Sequence, residues 1–270
     1  MAGTSVTRVI PLTLGWEELP RWCSVHEGGD EVLREPVPAV LVEHTGGLLL
    51  LDTGFNTALL RDPALRARFY AAPFYKPHLP PGEGEPLLDA LAAHGFAPED
   101  VTEVAISHLH CDHAGGLKHF AGRVPVHIQR RELEYGLSGD PSVEKNVVYR
   151  IDFDDPRHDW RLLDGDAELL PGVTALDTAG HTPGHQSFAV ETAGGGGFVF
   201  AFDAADLTAV IEEELPIGFG VGVAPVETVA PVRRLKAHAA ARGLRLVPGH
   251  DPVAWPALTA ELTHTEPPTR

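Results

Sequence analysis

The chain has 270 residues, of which 43% are hydrophobic, and a formal net charge of −17 with histidine counted as neutral. This composition is typical of globular proteins, and a chain of this length can bury a large core. Nucleic-acid binding and attachment to anionic membranes both depend on clustered Lys and Arg, so we expect neither a nucleic-acid nor a membrane partner.

The cysteine content and the N-terminal sequence predict the compartment. Cys23 and Cys111 are too few for a disulfide framework, and free thiols fit a reducing environment. The N-terminus lacks the basic region and apolar run of a signal peptide, and no segment reaches the roughly 20 apolar residues of a membrane span. We therefore expect a cytoplasmic location.

The first half of the chain predicts strands followed by a helix. Its elements are, in order, a strand at 4–14, a hairpin at 39–44 and 48–52, a helix at 86–94 and a strand at 101–106. The hairpin turns at Thr45-Gly46-Gly47, and its second strand is apolar throughout, as expected of a strand buried on both faces. The helix ends before Gly95, a common residue just past a helix end.

The segment 56–86 between that hairpin and that helix has two interpretations. It mixes arginines and aromatic residues and ends in a Pro/Gly-rich stretch. One interpretation is a short helix and a surface loop. The other is a lid that contacts a substrate, because binding loops lie on rigid scaffolds. In that case the candidate substrate-binding residues are Phe69, Tyr70, Phe74 and Tyr75.

The second half repeats the order of strands followed by helices. We predict a helix at 116–120, a strand at 125–128, a helix at 130–135, strands at 168–170 and 173–176, a hairpin at 186–191 and 198–202, a helix at 226–241 and a strand at 244–247. The polar segment 138–158 is predicted to be a loop. With no linker and no internal repeat, this order predicts one α+β domain over residues 1–270, a four-layer αββα sandwich with two sheets between helices.

The densest group of polar residues is the stretch 107–116, which follows the apolar run 104–106. Side chains alternate in an extended backbone, so His108 and His110 can point the same way. Asp112 and His113 follow where we expect the chain to turn. Four strongly hydrated groups beside an apolar strand need a partner when buried, and we predict that this partner is a metal.

Three further candidates stand at the ends of predicted strands or in turns: His185, Asp203 and His250. With the cluster they make five imidazoles and two carboxylates, the ligand types expected for a divalent ion such as zinc. Two ions with three ligands each and one bridging carboxylate would use all seven. His181, in the same turn as His185, is expected to orient a ligand by hydrogen bonding.

The motif His-x-His-x-Asp-His at 108–113 resembles the hallmark of the metallo-β-lactamase superfamily. The resemblance extends from the segment 48–54 to Pro248-Gly249-His250. Within the superfamily the chain is most similar to N-acyl-homoserine lactone lactonases, through 108–116, through 181–187 and through the acidic run after Asp203. The resemblance implies the αββα fold, and Asp52 as a support beneath the site. It also implies one metal on His108, His110 and His185, a second on Asp112, His113 and His250, and a bridging Asp203.

The resemblance also implies the reaction. A hydroxide bridging two ions would open the lactone ring of an N-acyl-homoserine lactone, as in a quorum-quenching lactonase, and Asp112 would also shuttle a proton. The alternatives within this fold are hydrolases of another ester, a thioester, a β-lactam, a sulfate ester or a phosphodiester, with acidity arguing against a nuclease. Outside enzymes, the alternative is a metal-binding protein without catalysis. The expected partner is a small-molecule lactone or ester, and both a monomer and a dimer stay open.

Two positions depart from the lactonase pattern. Three residues after the bridging aspartate the lactonases carry a tyrosine that faces the substrate carbonyl, and here that position is Asp206. An ionised carboxylate cannot donate a hydrogen bond to a developing oxyanion. Asp206 therefore points away, is protonated, or serves a different substrate. Cys111 stands where those lactonases often have a bulky aromatic residue.

Overall fold

The computed structural model of the protein describes residues 6–263. Positions 4 and 5 of the first predicted strand, and both ends of the predicted domain 1–270, lie outside the described residues. Within the described range the strands are β1 (Val6–Pro20), β2 (Val32–His44), β3 (Gly47–Leu51), β4 (Lys76–His78), β5 (Val101–Ala105), β6 (Pro125–Gln129), β7 (Asp159–Leu163), β8 (Ala167–Leu170), β9 (Val173–Asp177), β10 (Gln186–Glu191), β11 (Gly197–Phe200) and β12 (Arg245–Val247).

The helices are mostly short. They are α1 (Thr57–Arg61), α2 (Pro63–Phe69), α3 (Pro86–Ala93), α4 (Cys111–Ala114), α5 (Arg130–Leu137), α6 (Pro141–Lys145), α7 (Arg150–Phe153), α8 (Thr208–Glu213), α9 (Val229–Arg242) and α10 (Ala254–Thr263). In residues 6–263, no helix has the length and apolar character needed to cross a bilayer.

The strands form two sheets. The larger has the order β4-β1-β2-β3-β5-β6-β7 and the smaller has the order β12-β11-β10-β9-β8. Both predicted hairpins are confirmed, since β2 pairs with β3 and β10 pairs with β11 in antiparallel registers. The long pairing of β1 with β2 sets Glu17 directly opposite Glu35.

The core shows how the sheets and helices are layered. Residues of both sheets, such as Leu51 and Phe188, share one buried cluster between the sheets. A second cluster packs Leu91 of α3 and other helical residues against the opposite face of the larger sheet. A third packs Leu235 of α9 against the smaller sheet. The predicted αββα sandwich is therefore confirmed.

Several local predictions differ from the structure. The segment 138–158 was predicted as a loop, which is wrong, because it contains α6 and α7. These helices have five and four residues, too short to show a helical period in the sequence. Likewise α10 and β7 were not predicted, and the helix predicted from residue 226 begins at Val229, after a 3-10 turn.

The strand ends bring the candidate residues together. Asp52 directly follows β3, the motif 108–113 follows β5, Asp203 follows β11 and His250 follows β12. Parallel pairing of β3 with β5, and of β11 with β12, directs these strand ends to one edge of the sandwich. The sheets thus form a rigid frame for a site made of loops.

Candidate metal centre

Asp52 links the end of β3 to the loop after β5. It has a φ of 61°, which turns the chain sharply at this point. Its carboxylate accepts hydrogen bonds from the Ser107 backbone N–H at 2.6 Å, from the Ser107 hydroxyl at 2.7 Å and from His113 Nδ1 at 2.7 Å. Asp52 therefore fixes the orientation of the His113 ring.

His113 and His250 direct ring nitrogens at the same point. His113 Nδ1 donates to Asp52, and His250 Nδ1 donates to the Pro36 carbonyl at 3.0 Å. A neutral imidazole that donates through one nitrogen has a lone pair on the other. The Nε2 atoms of His113 and His250 lie 3.3 Å apart. Asp112 Oδ2 lies 3.0 Å from His113 Nε2. Two ring nitrogens and one carboxylate oxygen therefore converge on one point, as they do around a cation.

A second group of acceptors lies beside the first. His108, His110, His181 and Asp203 offer ligand atoms within 4.8 Å of one another. His181 donates through Nδ1 to the Phe219 carbonyl at 3.0 Å, and its Nε2 lies 2.9 Å from His110 Nδ1. His108 Nδ1 lies 2.9 Å from the Ser107 hydroxyl, which itself donates to Asp52, so His108 Nε2 also has its lone pair free.

Asp203 lies between the two groups. Its Oδ1 is 3.2 Å from His113 Nε2 and 3.1 Å from His250 Nε2. Its Oδ2 is 3.3 Å from His181 Nε2 and 3.7 Å from His108 Nε2. One carboxylate oxygen thus faces each group, which is the arrangement that a bridging ligand requires.

The structure places His181, and not His185, in the first group of candidate ligand atoms. The sequence predicted His185 as a ligand and His181 as an orienting residue, and these two roles stay predictions. His185 Nδ1 donates to the Thr178 hydroxyl at 2.9 Å, and the ring packs beside His108 with centroids 5.2 Å apart. The His185 Nε2 atom has no hydrogen-bond partner among the described residues. Because the turn 178–185 is not helical, a spacing of four residues does not place both rings at the same point.

The donor set fits two divalent ions. Burial lowers the pKa of His108 and His110 well below the ordinary histidine value, so both rings stay neutral. Burial also lowers the pKa of His113, but the charges of Asp112 and Asp203 outweigh it and hold that pKa well above the ordinary value. This pull on a proton reports uncompensated negative charge, which bound cations would neutralise. The two clusters of His and Asp therefore suit a dinuclear metal site.

Glu132 is a structural residue that the sequence did not reveal. It lies on α5 and is fully buried. Its Oε1 accepts a hydrogen bond from the Leu109 N–H at 3.0 Å, and its Oε2 accepts one from the Gly184 N–H at 2.9 Å. A single carboxylate thus joins the loop that has His108 and His110 to the loop that has His181.

Replacing Glu132 by alanine is expected to lower the free energy of unfolding by about 2–4 kcal/mol, because two buried N–H groups lose their acceptors. Metal affinity should also fall by about 10–100-fold, since the two loops lose their common anchor. Urea unfolding and metal titration measure the two effects. Glu134→Ala on the exposed face of the same helix is the control, and equal effects of both variants would contradict this role for Glu132.

A cavity of about 150 Å³ opens onto the two groups. Of the four predicted lid aromatics, Phe74 and Tyr75 line this cavity. Tyr70 is instead buried in the core, and Phe69 lines a separate cavity. The rings of both residues pack against Tyr149.

Three carboxyl groups in the cavity wall lie outside the predicted metal ligands. Asp206, Glu17 and Glu35 line the cavity, and Asp206 therefore points toward the site and not away from it. Burial and the neighbouring charge of Asp203 raise the pKa of Asp206 well above its ordinary value. Burial raises the pKa of Glu17 to about 8 and that of Glu35 to about 7. The sequence pattern of β1 and β2 did not indicate that these two glutamates are buried beside the site.

Comparison with known proteins gives a consistent result. The sequence pattern of the metallo-beta-lactamase superfamily matches residues 32–250. The chain is 33% identical over 248 residues to N-acyl homoserine lactonase AttM of Azorhizobium caulinodans, covering 87% of this chain and 91% of that protein. It is 30% identical over 206 residues to N-acyl homoserine lactonase AiiA of Bacillus thuringiensis subsp. kurstaki, covering 76% of this chain and 77% of that protein. A solved structure of B. thuringiensis AiiA with N-decanoyl-L-homoserine at its active site matches with a TM-score of 0.80 and 27% identity, covering 92% of this chain and 94% of that one.

Proposed function

The chain belongs to the metallo-beta-lactamase superfamily, and from this premise we propose that it hydrolyses the ester bond of an N-acyl-homoserine lactone and opens the ring. The observation that carries the proposal is Asp203, whose two oxygens face two separate groups of histidine nitrogens. Two divalent ions held there would polarise the ester carbonyl and lower the pKa of a water molecule to about 7.

The proposed ligands are His108, His110 and His181 in the first group and Asp112, His113 and His250 in the second, with Asp203 shared. Their fixed partners keep the rings in place: Asp52 holds His113, and the carbonyls of Pro36 and Phe219 hold His250 and His181. Orientation of this kind reduces the reorganisation that a reaction must otherwise overcome.

Asp112 is proposed to shuttle a proton in addition to its ligand role. Its carboxylate lines the cavity, and its Oδ2 lies 3.0 Å from His113 Nε2. A carboxylate in this position can accept a proton from the attacking water and release it to the leaving alkoxide. The apolar side chains Leu19, Phe74 and Phe219 in the same wall would contact the acyl part of the substrate.

We also propose that the native metal is zinc and that the protein is cytoplasmic. Imidazole and carboxylate are ligands that zinc accepts, and all seven proposed ligands contact neighbouring polar groups. The free cysteines Cys23 and Cys111 agree with a reducing compartment.

A substrate panel tests the proposed reaction. Ring opening of N-hexanoyl-homoserine lactone releases a proton, which a pH-stat measures, and the panel adds γ-butyrolactone, a thioester and a phosphodiester. We expect kcat/KM for the acyl-homoserine lactone to exceed that for the thioester and the phosphodiester by at least about a hundredfold, a difference of roughly 3 kcal/mol in barrier.

The control is the same protein stripped of metal by a chelator, which should lose activity and regain it when divalent ions are added back. Rapid thioester or phosphodiester hydrolysis without lactone opening would contradict the proposal. Such a result would instead support another hydrolase of the same fold.

A further inference from the structure

Three carboxyl groups line the cavity beside the candidate metal centre. We call Glu17, Glu35 and Asp206 the carboxylate pocket. They are 6%, 1% and 7% exposed, and all three line the cavity. Among the described residues none of them pairs with a Lys or an Arg, and the ion pair recorded for Glu17 is with His250 at 3.4 Å. Buried carboxylates are usually paired, so this group needs an explanation.

The pairing of β1 with β2 makes the arrangement costly. Glu17 and Glu35 are directly opposite in the antiparallel register. Two carboxyl groups in such a pair destabilise a sheet when both are ionised. The Ser24 hydroxyl donates to Glu35 Oε1 at 2.7 Å, which satisfies one oxygen but adds no positive charge. Residues that oppose the stability of their own sheet are expected at functional sites.

Asp206 adds an independent sign of a ligand. Its Oδ1 is buried, lies in the cavity wall and has no hydrogen-bond partner among the described residues. Leaving a buried acceptor unpaired costs free energy, so a group that donates to Asp206 would stabilise the bound state. The donor would enter from the cavity, on the side of the metal centre.

The geometry favours an ammonium group over a third metal ion. Glu17 and Glu35 offer ligand atoms within 4.8 Å of each other and of His250, whereas Asp206 belongs to another group with Asp203 and His250. His250 Nδ1 already donates to the Pro36 carbonyl, so it has no lone pair for a metal on that side. A metal ion needs its ligands close to one point, but an ammonium group has three N–H donors that reach acceptors in different directions.

We infer that the carboxylate pocket binds a protonated primary amine of the substrate, so that the preferred substrates are lactones with a cationic ammonium group in the acyl part. This inference rests on the proposed function, because it concerns the same cavity. The net charge of −17 agrees with it, since a negative protein concentrates cationic ligands near its surface. Lys145 is the basic side chain of the cavity lining outside the histidines, and it is exposed to solvent at the rim.

Matched substrates test the inference. N-glycyl-, N-(4-aminobutanoyl)- and N-(6-aminohexanoyl)-homoserine lactone are each compared with an isostere in which a methyl group replaces the ammonium group. We expect the ammonium compound to have at least about a tenfold higher kcat/KM at one or more of the chain lengths. A tenfold ratio corresponds to the free energy of about one charge-assisted hydrogen bond. A ratio of one or less at every length overturns the inference.

Variants assign the preference to the pocket. Glu35→Gln keeps an acceptor for Ser24 but removes the charge. It should reduce the ratio of kcat/KM for the ammonium compound to kcat/KM for its methyl isostere by about tenfold. Asp206→Asn is the second variant, in case the first does not fold. Glu18→Gln is the matched control, because Glu18 pairs with His78 outside the cavity, and it should leave the ratio unchanged. Equal ratios in the unaltered chain, Glu35→Gln and Asp206→Asn overturn the inference.

A binding measurement separates this inference from the proposed function. Calorimetry with butylammonium should show binding that Glu35→Gln weakens by about tenfold, whereas butanol should not bind. If the neutral lactones are hydrolysed but butylammonium does not bind, the proposed function stands and the inference fails. If butylammonium binds through Glu35 but no lactone is hydrolysed, the inference stands for the pocket and the proposed function fails.

Discussion

Replacing Asp203 by asparagine should reduce kcat/KM for lactone opening by at least about a thousandfold and remove at least one of the two bound metal ions. The carboxylate presents Oδ1 to His113 and His250 and Oδ2 to His108 and His181. Asparagine keeps the size of the side chain but has one acceptor oxygen and one N–H₂ group, which cannot ligate a cation. Loss of several kcal/mol of transition-state stabilisation corresponds to this change in rate.

Atomic absorption on the purified variant, together with the lactone assay, measures both effects. Asp164→Asn is the matched control, since it removes the same charge from an exposed ion pair with Arg130. The control should keep full activity and both ions. If Asp203→Asn keeps two ions and more than a tenth of the activity, Asp203 does not bridge the metals.

Asparagine at position 181 should cost the protein one metal ion, whereas asparagine at position 185 should not. In both variants the new side-chain amide can replace the Nδ1–H donor, to the Phe219 carbonyl in one case and to the Thr178 hydroxyl in the other. Each variant therefore loses only Nε2, and comparing the two shows which Nε2 atom binds a metal ion. We expect His181→Asn to lose at least about a hundredfold in activity and His185→Asn less than about tenfold.

Titration of the metal-free variants with zinc, followed by calorimetry, counts the sites. Circular dichroism of the same samples confirms that each variant is folded. Two sites in His181→Asn with one in His185→Asn would restore the assignment that the sequence first indicated.

The two histidines show where the sequence is ambiguous. The motif 108–113 revealed most of the candidate centre because its histidines and aspartate are consecutive and follow a strand. In contrast, His181 and His185 stand in one turn, and only the backbone path shows that His181 Nε2 reaches Asp203. A spacing pattern contains no information about such a path.

The sequence did not predict the carboxylate pocket, for a related reason. Glu17 and Glu35 stand in two long strands, where an acidic residue is normally a solvent-facing position. The pairing of β1 with β2 places them opposite each other in the wall of the cavity, which Phe74 and Tyr75 also line. Asp206 could be singled out from the sequence only because it departs from the lactonase pattern.

The metal content of the unaltered chain tests the central claim most directly, since the variants above are measured against it. The protein is expressed with zinc in the medium, freed of loosely bound ions by gel filtration and measured by inductively coupled plasma mass spectrometry. The lone pairs of five histidines and the charges of Asp112 and Asp203 predict close to two divalent ions per chain. A value near zero in folded protein would contradict the account.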